Sequence, residues 1–137
     1  MAADLGTSLQ VSAAGMDVQV ARIKIIAENL ANQSTTGSIP GADAYRRRTV
    51  SFQNQIDKAL GVETVSVKAV STDKSDQPLR YDPSNPGANK DGYVKTPNVN
   101  SFVELMDMRD AEQAYSANLN VASTTRTMLS RTLDLIK

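Results

Sequence analysis

Two segments, one at each end of this chain, repeat apolar residues at alternating spacings of three and four. The first segment covers residues 1–36 and the second covers residues 101–137. A period near 3.5 residues predicts an α-helix that buries one stripe of side chains against other helices. At about 1.5 Å per residue the second helix would be roughly 50 Å long, whereas a compact chain of this size has a radius of gyration near 14 Å. The predicted helices are therefore too long for a single compact globule.

The repeated apolar residues form one stripe on each predicted helix, and we call the two stripes together the predicted seam. We expect the stripes to pair as a coiled coil and to pack against other copies or partners, because the segment between them is too short and too poor in aromatic residues to cover them. On the first helix the predicted seam consists of Leu9, Ala13, Met16, Val20, Ile23, Ala27 and Leu30. On the second helix it consists of Leu105, Met108, Tyr115, Leu119, Ala122, Leu129, Leu133 and Ile136.

Capping signals predict where the two helices begin and end. Thr7 with Gln10, and Ser101 with Glu104, have the spacing of a capping box, in which each side chain bonds to a free main-chain N–H of the first turn. The Thr-Gly pair at 36–37 predicts the end of the first helix.

The segment between the helices predicts short strands and turns. Val50–Phe52 and the valine-rich Glu63–Val70 read as strands. Asn89–Gly92 predicts a hairpin turn with glycine at the position that needs a positive φ. We therefore expect an α+β chain with two long terminal helices and a small middle region rich in β-hairpins. Its expected parts are an N-terminal helix within 1–36, a β-rich middle over 37–100 and a C-terminal helix within 101–137.

The composition excludes most enzyme chemistry. The chain has no histidine and no cysteine, which removes the Ser-His-Asp triad, the cysteine nucleophile, the disulfide and the usual zinc ligands. Asp82–Gly87 superficially resembles an acidic calcium loop but lacks its alternating carboxylates and terminal glutamate. We expect no catalytic residue, no cofactor and no bound metal ion.

The charge balance argues against a polyanion partner or a membrane span. The 15 basic and 15 acidic residues give a formal net charge of zero, whereas nucleic-acid affinity needs clustered cations. Arg46–Arg48 could touch phosphate but lacks an aromatic stacking platform, so a salt-bridged surface is favoured. No apolar run approaches the roughly 20 residues that cross a bilayer. Residues 1–15 also lack the basic and apolar regions of a cleaved secretory signal, so we expect either a cytosolic chain or export by a route without one.

Both helical segments carry motifs that resemble a known family. Ser12–Met16 followed by Ile25–Gly37 is similar to the N-terminal signature of bacterial flagellar rod and hook proteins, and Asn98–Leu129 is similar to their matching C-terminal helix. Tyr45–Arg48 and Tyr81–Val99 resemble the short, proximal-rod members of that family. The motif residues that we single out are Asn29, Ala31, Asn32, Tyr93, Pro97 and Asn98.

The resemblance implies a structural subunit of the flagellar basal-body rod that polymerises helically and helps to transmit motor torque. It implies contacts with other copies of the chain, with other rod subunits and with the MS ring. It also implies passage through the flagellar type III export apparatus, without a cleaved signal peptide, to a rod that crosses the periplasm. Phe52 and Ile56 resemble the short export signal of such subunits, with a buried strand contact as the alternative interpretation. Two alternatives to the overall function are another axial rod subunit and a soluble coiled-coil adaptor or export chaperone.

Overall fold

The computed structural model describes residues 2–58 and 61–135. Within them the elements follow one another as α1 (Ala2–Ala31), β1 (Arg48–Asp57), β2 (Val62–Thr72), β3 (Leu79–Tyr81), β4 (Tyr93–Lys95) and α2 (Ser101–Asp134). The chain is therefore α+β, with a long helix toward each end and small antiparallel sheets between them, as predicted. In the described residues, neither helix contains a stretch apolar enough to cross a membrane.

The first helix ends at Ala31 rather than near Thr36, so the predicted end of this helix is wrong. Side-chain hydrogen bonds explain the earlier end. Asn32 Nδ2 donates to the Glu28 carbonyl oxygen at 2.9 Å, and Thr35 Oγ1 donates to Asn32 Oδ1 at 3.1 Å. Such local bonds compete with the next helical turn and lead the chain away from the helix axis.

Both predicted capping boxes are wrong as well. α1 begins at Ala2, so Thr7 lies inside the helix and does not cap it. The side chain that caps α2 belongs to Asn100, whose Oδ1 accepts the N–H groups of Phe102 at 3.0 Å and Val103 at 3.4 Å. Ser101 donates its hydroxyl to the Gln33 side chain instead.

The strands form two separate two-stranded sheets, β1 with β2 and β3 with β4. The segments predicted as strands fall within β1 and β2, which confirms them. In the second sheet Leu79 lies opposite Lys95 and Tyr81 lies opposite Tyr93. The predicted turn and its positive φ are confirmed, because Gly92 has a φ of 82° and donates its N–H to the Asn89 carbonyl at 3.0 Å. The turn forms the end of the longer loop 82–92 between β3 and β4 and does not join the two strands directly.

The chain divides into two compact units, each with a small core. The first unit combines Met1–Ile23, Val50–Ala69 and Arg109–Lys137, and its buried apolar side chains are Val18 and Ala111. The second unit combines Lys24–Thr49 and Val70–Met108, and its buried apolar side chains are Ile25, Ile26, Ala44 and Val94. Many larger apolar side chains remain exposed in both units.

Candidate assembly surface

Small and polar side chains lie where α1 meets α2 in the first unit. The hydroxyl oxygens of Ser8 and Thr125 lie 3.4 Å apart in a part-buried hydrogen bond. Gly15 lies against Asn118 so closely that a Cβ atom there would come within 2.9 Å of the Asn118 amide nitrogen. That amide donates to the Ala114 carbonyl oxygen at 3.1 Å, which holds it in place. The two helices thus touch through groups that leave little room between their backbones.

These contacts recur at heptad intervals, and one further pair in the second unit keeps the same spacing. The matched positions are Ser8, Gly15 and Asn29 on α1 and Thr125, Asn118 and Glu104 on α2. In the first unit the two matched pairs are one heptad apart on each helix and their order is reversed on α2, so the helix segments of that unit run antiparallel. In the sequence, Asn29 lies two heptads after Gly15, and Glu104 lies two heptads before Asn118. Ala111, which is fully buried, occupies the remaining heptad position on α2. We call these seven residues the inner seam.

Asn29 is 1% exposed, and its side-chain amide uses all four of its hydrogen-bonding positions. Its Nδ2 donates to Glu104 Oε2 at 3.0 Å and to the Arg48 carbonyl oxygen at 2.8 Å. Its Oδ1 accepts the Arg48 N–H at 2.8 Å and the Tyr45 hydroxyl at 2.9 Å. Burial raises the pKa of Tyr45 above its ordinary value, and the protonated hydroxyl is the donor in this bond. Asn29 therefore ties α1 both to α2 and to the segment 45–48, which ends at the first residue of β1.

Glu104 is fully buried, and its charge is balanced by Arg47. Glu104 Oε1 accepts from Arg47 Nε at 2.5 Å, while Arg47 Nη2 lies 3.4 Å from Asp107 Oδ2. The main chain of Arg47 is held on both sides: its N–H donates to Asn98 Oδ1 at 2.8 Å, and its carbonyl accepts the Asp73 N–H at 2.7 Å. A buried carboxylate needs this kind of well-placed partner, because an unpaired charge in a low-dielectric interior is strongly unfavourable.

The other two arginines of the run also form ion pairs within the chain. Arg46 Nη2 lies 3.1 Å from Asp43 Oδ2, and Arg48 Nη1 lies 2.5 Å from Glu28 Oε2. Asp43 also accepts from Lys95 Nζ at 2.6 Å. The Lys95 bond, followed by the Arg46 bond, lowers the pKa of the Asp43 carboxyl below its ordinary value. Within the described part of the chain, no three acidic side chains gather in a way that could hold a metal ion.

The predicted seam lies beside the inner seam, and a single chain leaves much of it uncovered. On α1, each member of the predicted seam comes one residue after a residue of the helix face that contains Ser8, Ser12 and Gly15. The half-buried members are Leu9, Met16, Ile23, Leu30, Met108, Tyr115, Ala122 and Leu129. The exposed members are Ala13, Val20, Ala27, Leu105, Leu119 and Leu133, with the three leucines exposed by 56%, 50% and 55%. Ile136 lies outside the described residues. The role of this seam in subunit packing stays a prediction.

The remaining motif residues and the proposed export residues are not members of the inner seam. Ala31 is the exposed last residue of α1, and Pro97 is buried just before α2. The Tyr93 ring meets the Tyr81 ring edge-on, with centroids 5.3 Å apart. On β1, Phe52 is half-buried, whereas Ile56 is 64% exposed.

Hydrophobic periodicity missed the inner seam because its members are small or polar. Gly15, Glu104 and Asn118 carry no apolar side chain that such a pattern can detect. The sequence feature that could have revealed the inner seam is a set of small and polar residues that recurs every seven positions beside the leucine stripe of α2. Its members are Glu104, Ala111, Asn118 and Thr125.

Comparison with known proteins identifies the family. Residues 90–135 match the family model of the flagellar basal body rod FlgEFG protein C-terminal region. The flagellar basal-body rod protein FlgC of Agrobacterium fabrum is 45% identical over 133 residues, covering 97% of this chain and 96% of that protein. The chain belongs to the FlgC family of flagellar basal-body rod proteins. The resemblance noted in the sequence is thereby confirmed.

Two more distant FlgC proteins match over nearly the same length. FlgC of Salmonella typhimurium is 38% identical over 128 residues, covering 91% of this chain and 92% of that protein. FlgC of Bacillus subtilis is 32% identical over 149 residues, covering 95% of this chain and 97% of that protein. FlgC-family proteins are structural components of the flagellar basal-body rod. This member is accordingly a structural subunit located in the basal body, and not an enzyme.

Proposed function

We propose that this FlgC-family chain pairs α1 with α2 as an antiparallel coiled coil and packs the predicted seam of that pair against neighbouring rod subunits. The proposal rests on the difference between two surfaces of the helices. The side chains of the inner seam are small or polar, whereas Leu105, Leu119 and Leu133 are at least half exposed on α2. If these leucines served to pack the chain's own core, we would expect to find them in the inner seam.

The exposed apolar side chains supply the driving force for assembly. Fully burying a leucine or valine side chain stabilises an interface by about 1.5–3 kcal/mol. Several such residues per subunit can offset the loss of translational and rotational freedom on association, which costs at least about 4 kcal/mol. Val20 on α1 adds to the same uncovered surface.

Head-to-tail contacts between subunits would extend this packing into a helical rod, because a heterologous contact that does not close on itself generates an open helix. The zero net charge of the chain allows many copies to crowd without collective repulsion. We propose as neighbours other copies of this chain, other rod subunits and the MS ring. The similarity of Tyr81–Val99 to short rod proteins supports a position in the proximal rod, where paired helices packed side by side would resist twisting and transmit motor torque.

The assembly proposal is tested by placing one charge on the exposed seam. Leu119→Asp should leave export unchanged and remove the chain from purified hook–basal bodies, because a carboxylate cannot be buried between helices without a partner. Asn120→Asp is the matched control, since it adds the same charge at the adjacent exposed position and should assemble normally. Ile23→Asp makes the same test on α1. Mass spectrometry of washed hook–basal bodies gives the readout, and normal incorporation of Leu119→Asp and Ile23→Asp would refute the seam assignment.

We also propose that Phe52 and Ile56 form the signal recognised by the flagellar type III export apparatus. The support is their Phe-x-x-x-apolar spacing and the exposure of Ile56, which a core residue would not have. Phe52→Ala and Ile56→Ala should each reduce secretion of the chain into the medium of cells that lack a complete hook. The matched controls are Phe102→Ala and Ile39→Ala, which remove exposed side chains of the same types elsewhere. Equal secretion of all four variants would reject the signal.

A further inference from the structure

We propose that Asn29 and Glu104 determine the register in which α1 pairs with α2. This inference rests on the coiled-coil pairing proposed above and names the residues that give that pairing a single alignment. It concerns a choice between alignments that differ by one heptad, which is a shift of about 10.5 Å along the helix axis.

The rest of the inner seam offers little discrimination between such alignments. After a shift of one heptad, Ser8 would face Asn118 or Thr132 instead of Thr125, and each of these side chains is small and polar. Gly15 would face Ala111 in one shifted alignment, where the available space is similar. Because these residues recur with the same period as the possible shifts, the area that they bury changes little.

Asn29 and Glu104 cannot shift without losing bonds that are buried. In one shifted alignment Asn29 would face Ala111, which offers no side-chain partner for its amide. In the same alignment Glu104 would face a position beyond Ala31, where α1 has ended. In the opposite alignment Glu104 would face Arg22, but Asn29 would face Pro97. A buried amide or carboxylate without partners is strongly unfavourable, and a single buried asparagine in a helix seam is an established way to fix register.

The segment 45–48, which ends at the first residue of β1, holds both members of this pair. Asn29 bonds to both the N–H and the carbonyl of Arg48, and Glu104 bonds to Arg47. Arg47 is in turn held through its main chain by Asn98 and Asp73. Each helix is therefore bound to the same short segment as well as to the other helix. Because α1 and α2 each continue as one helix into the first unit, we expect an alignment chosen here to be detectable at Ser8 and Thr125.

The alignment matters for assembly because it sets which exposed residues of the two helices lie level with one another. A shift of one heptad would move Val20 relative to Leu119 by two turns of helix. Neighbouring subunits would then meet a different pattern of apolar side chains.

Pairs of introduced cysteines can measure the register, because the natural chain contains no cysteine. Ser8→Cys with Thr125→Cys reports the alignment of the structure, in which the two hydroxyl oxygens lie 3.4 Å apart. Ser8→Cys with Asn118→Cys and Ser8→Cys with Thr132→Cys report the two alignments shifted by one heptad. Each double variant is made in the full-length chain, purified before assembly, oxidised with diamide and quantified by non-reducing electrophoresis and mass spectrometry.

In the otherwise natural chain we expect the first pair to form at least tenfold more disulfide than either shifted pair. Asn29→Leu and Glu104→Gln should each lower that ratio at least fivefold by raising the shifted disulfides. Tyr45→Phe removes one bond to Asn29 and should shift the ratio less, in the same direction. Asn120→Leu and Glu112→Gln are matched controls at exposed positions of α2 and should leave the ratio unchanged.

Three results would overturn the proposal, and they separate it from the proposed function. An unchanged ratio in Asn29→Leu and Glu104→Gln would reject the register role while the helix pairing stands. Loss of all three disulfides in these variants alone would assign Asn29 and Glu104 to holding the fold rather than choosing its alignment. Absence of all three disulfides from the otherwise natural chain would reject the pairing itself, and the register role with it.

Discussion

Gly15 of α1 and Asn118 of α2 stand closer than any larger residue at position 15 would permit, since a Cβ atom there would lie 2.9 Å from Asn118 Nδ2 and 3.0 Å from its Oδ1. Glycine normally weakens the interior of a helix. Its presence here is explained by the approach of the facing helix, because the Asn118 amide is held by its own bond to Ala114.

Gly15→Ala should therefore destabilise the chain although alanine is the better helix former. Overpacking costs about 1–3 kcal/mol, whereas the gain in helix propensity is about 1 kcal/mol. Urea unfolding followed by circular dichroism should show a net loss of stability. Gly6→Ala is the control in the same helix, where a Cβ atom would meet no described atom within 4 Å, and it should stabilise. Equal stabilisation by both substitutions would contradict the close contact. Adding Asn118→Ala should restore the space and rescue Gly15→Ala.

Removal of the Arg47 side chain should have a much larger effect than removal of its neighbour. Arg47→Met leaves Glu104 buried without a cation, and breaking a buried ion pair costs about 3–5 kcal/mol. Arg46→Met removes a solvent-exposed pair with Asp43, and its effect should be far smaller. Denaturant unfolding of the two variants makes the comparison. Similar losses for both would show that Glu104 does not depend on Arg47.

Asn100, and not Ser101, should behave as the cap of α2. Asn100→Ala removes the acceptor for two free N–H groups of the first turn and should cost about 1 kcal/mol. Ser101→Ala removes one exposed bond to Gln33 and should cost less. Hydrogen exchange at Phe102 and Val103 provides the readout, with faster exchange expected in Asn100→Ala only. Faster exchange in Ser101→Ala instead would support the capping box that was predicted from the sequence.

The Asp43 carboxyl should titrate below its ordinary pKa of 3.8, because Lys95 and Arg46 donate to the charged form. Since the pKa of the folded state is the lower one, the stability that this group contributes is present above the ordinary value and is lost as the pH falls through the folded value. NMR titration of the Asp43 side-chain carbon gives the midpoint. Lys95→Met should move it upward, and Arg46→Met should do so to a smaller extent. A midpoint that neither substitution moves would show that the two cations do not act on Asp43.

The elements of this fold follow from the sequence wherever one pattern repeats for many residues. Apolar residues that recur every three or four positions over many turns predicted α1 and α2, and the strand pattern of Glu63–Val70 predicted β2. The end of α1 was not predicted, because it depends on hydrogen bonds from the side chains of Asn32 and Thr35. Such bonds come from single residues, and they leave no periodic signal.

The partners of the buried polar residues could not be predicted from the sequence for a different reason. Glu104 has the spacing of a capping residue relative to Ser101, and that local interpretation was wrong because its partners come from distant parts of the chain. Asn29 and Arg47 reach it only once the fold has formed. The apolar stripes were visible in the sequence, whereas the face that each helix turns toward the other within the chain became known only from the contacts of Ser8 and Gly15.

The small side chains of the inner seam would also affect the dimensions of the proposed helical rod. Helix axes lie about 8–10 Å apart, with the shorter spacing reached when small residues face one another. In the proposed rod, a pair closed over Gly15 and Ala111 would be narrow, so each subunit would take up little of the circumference. For a given number of subunits per turn, a narrower pair would give a smaller bore.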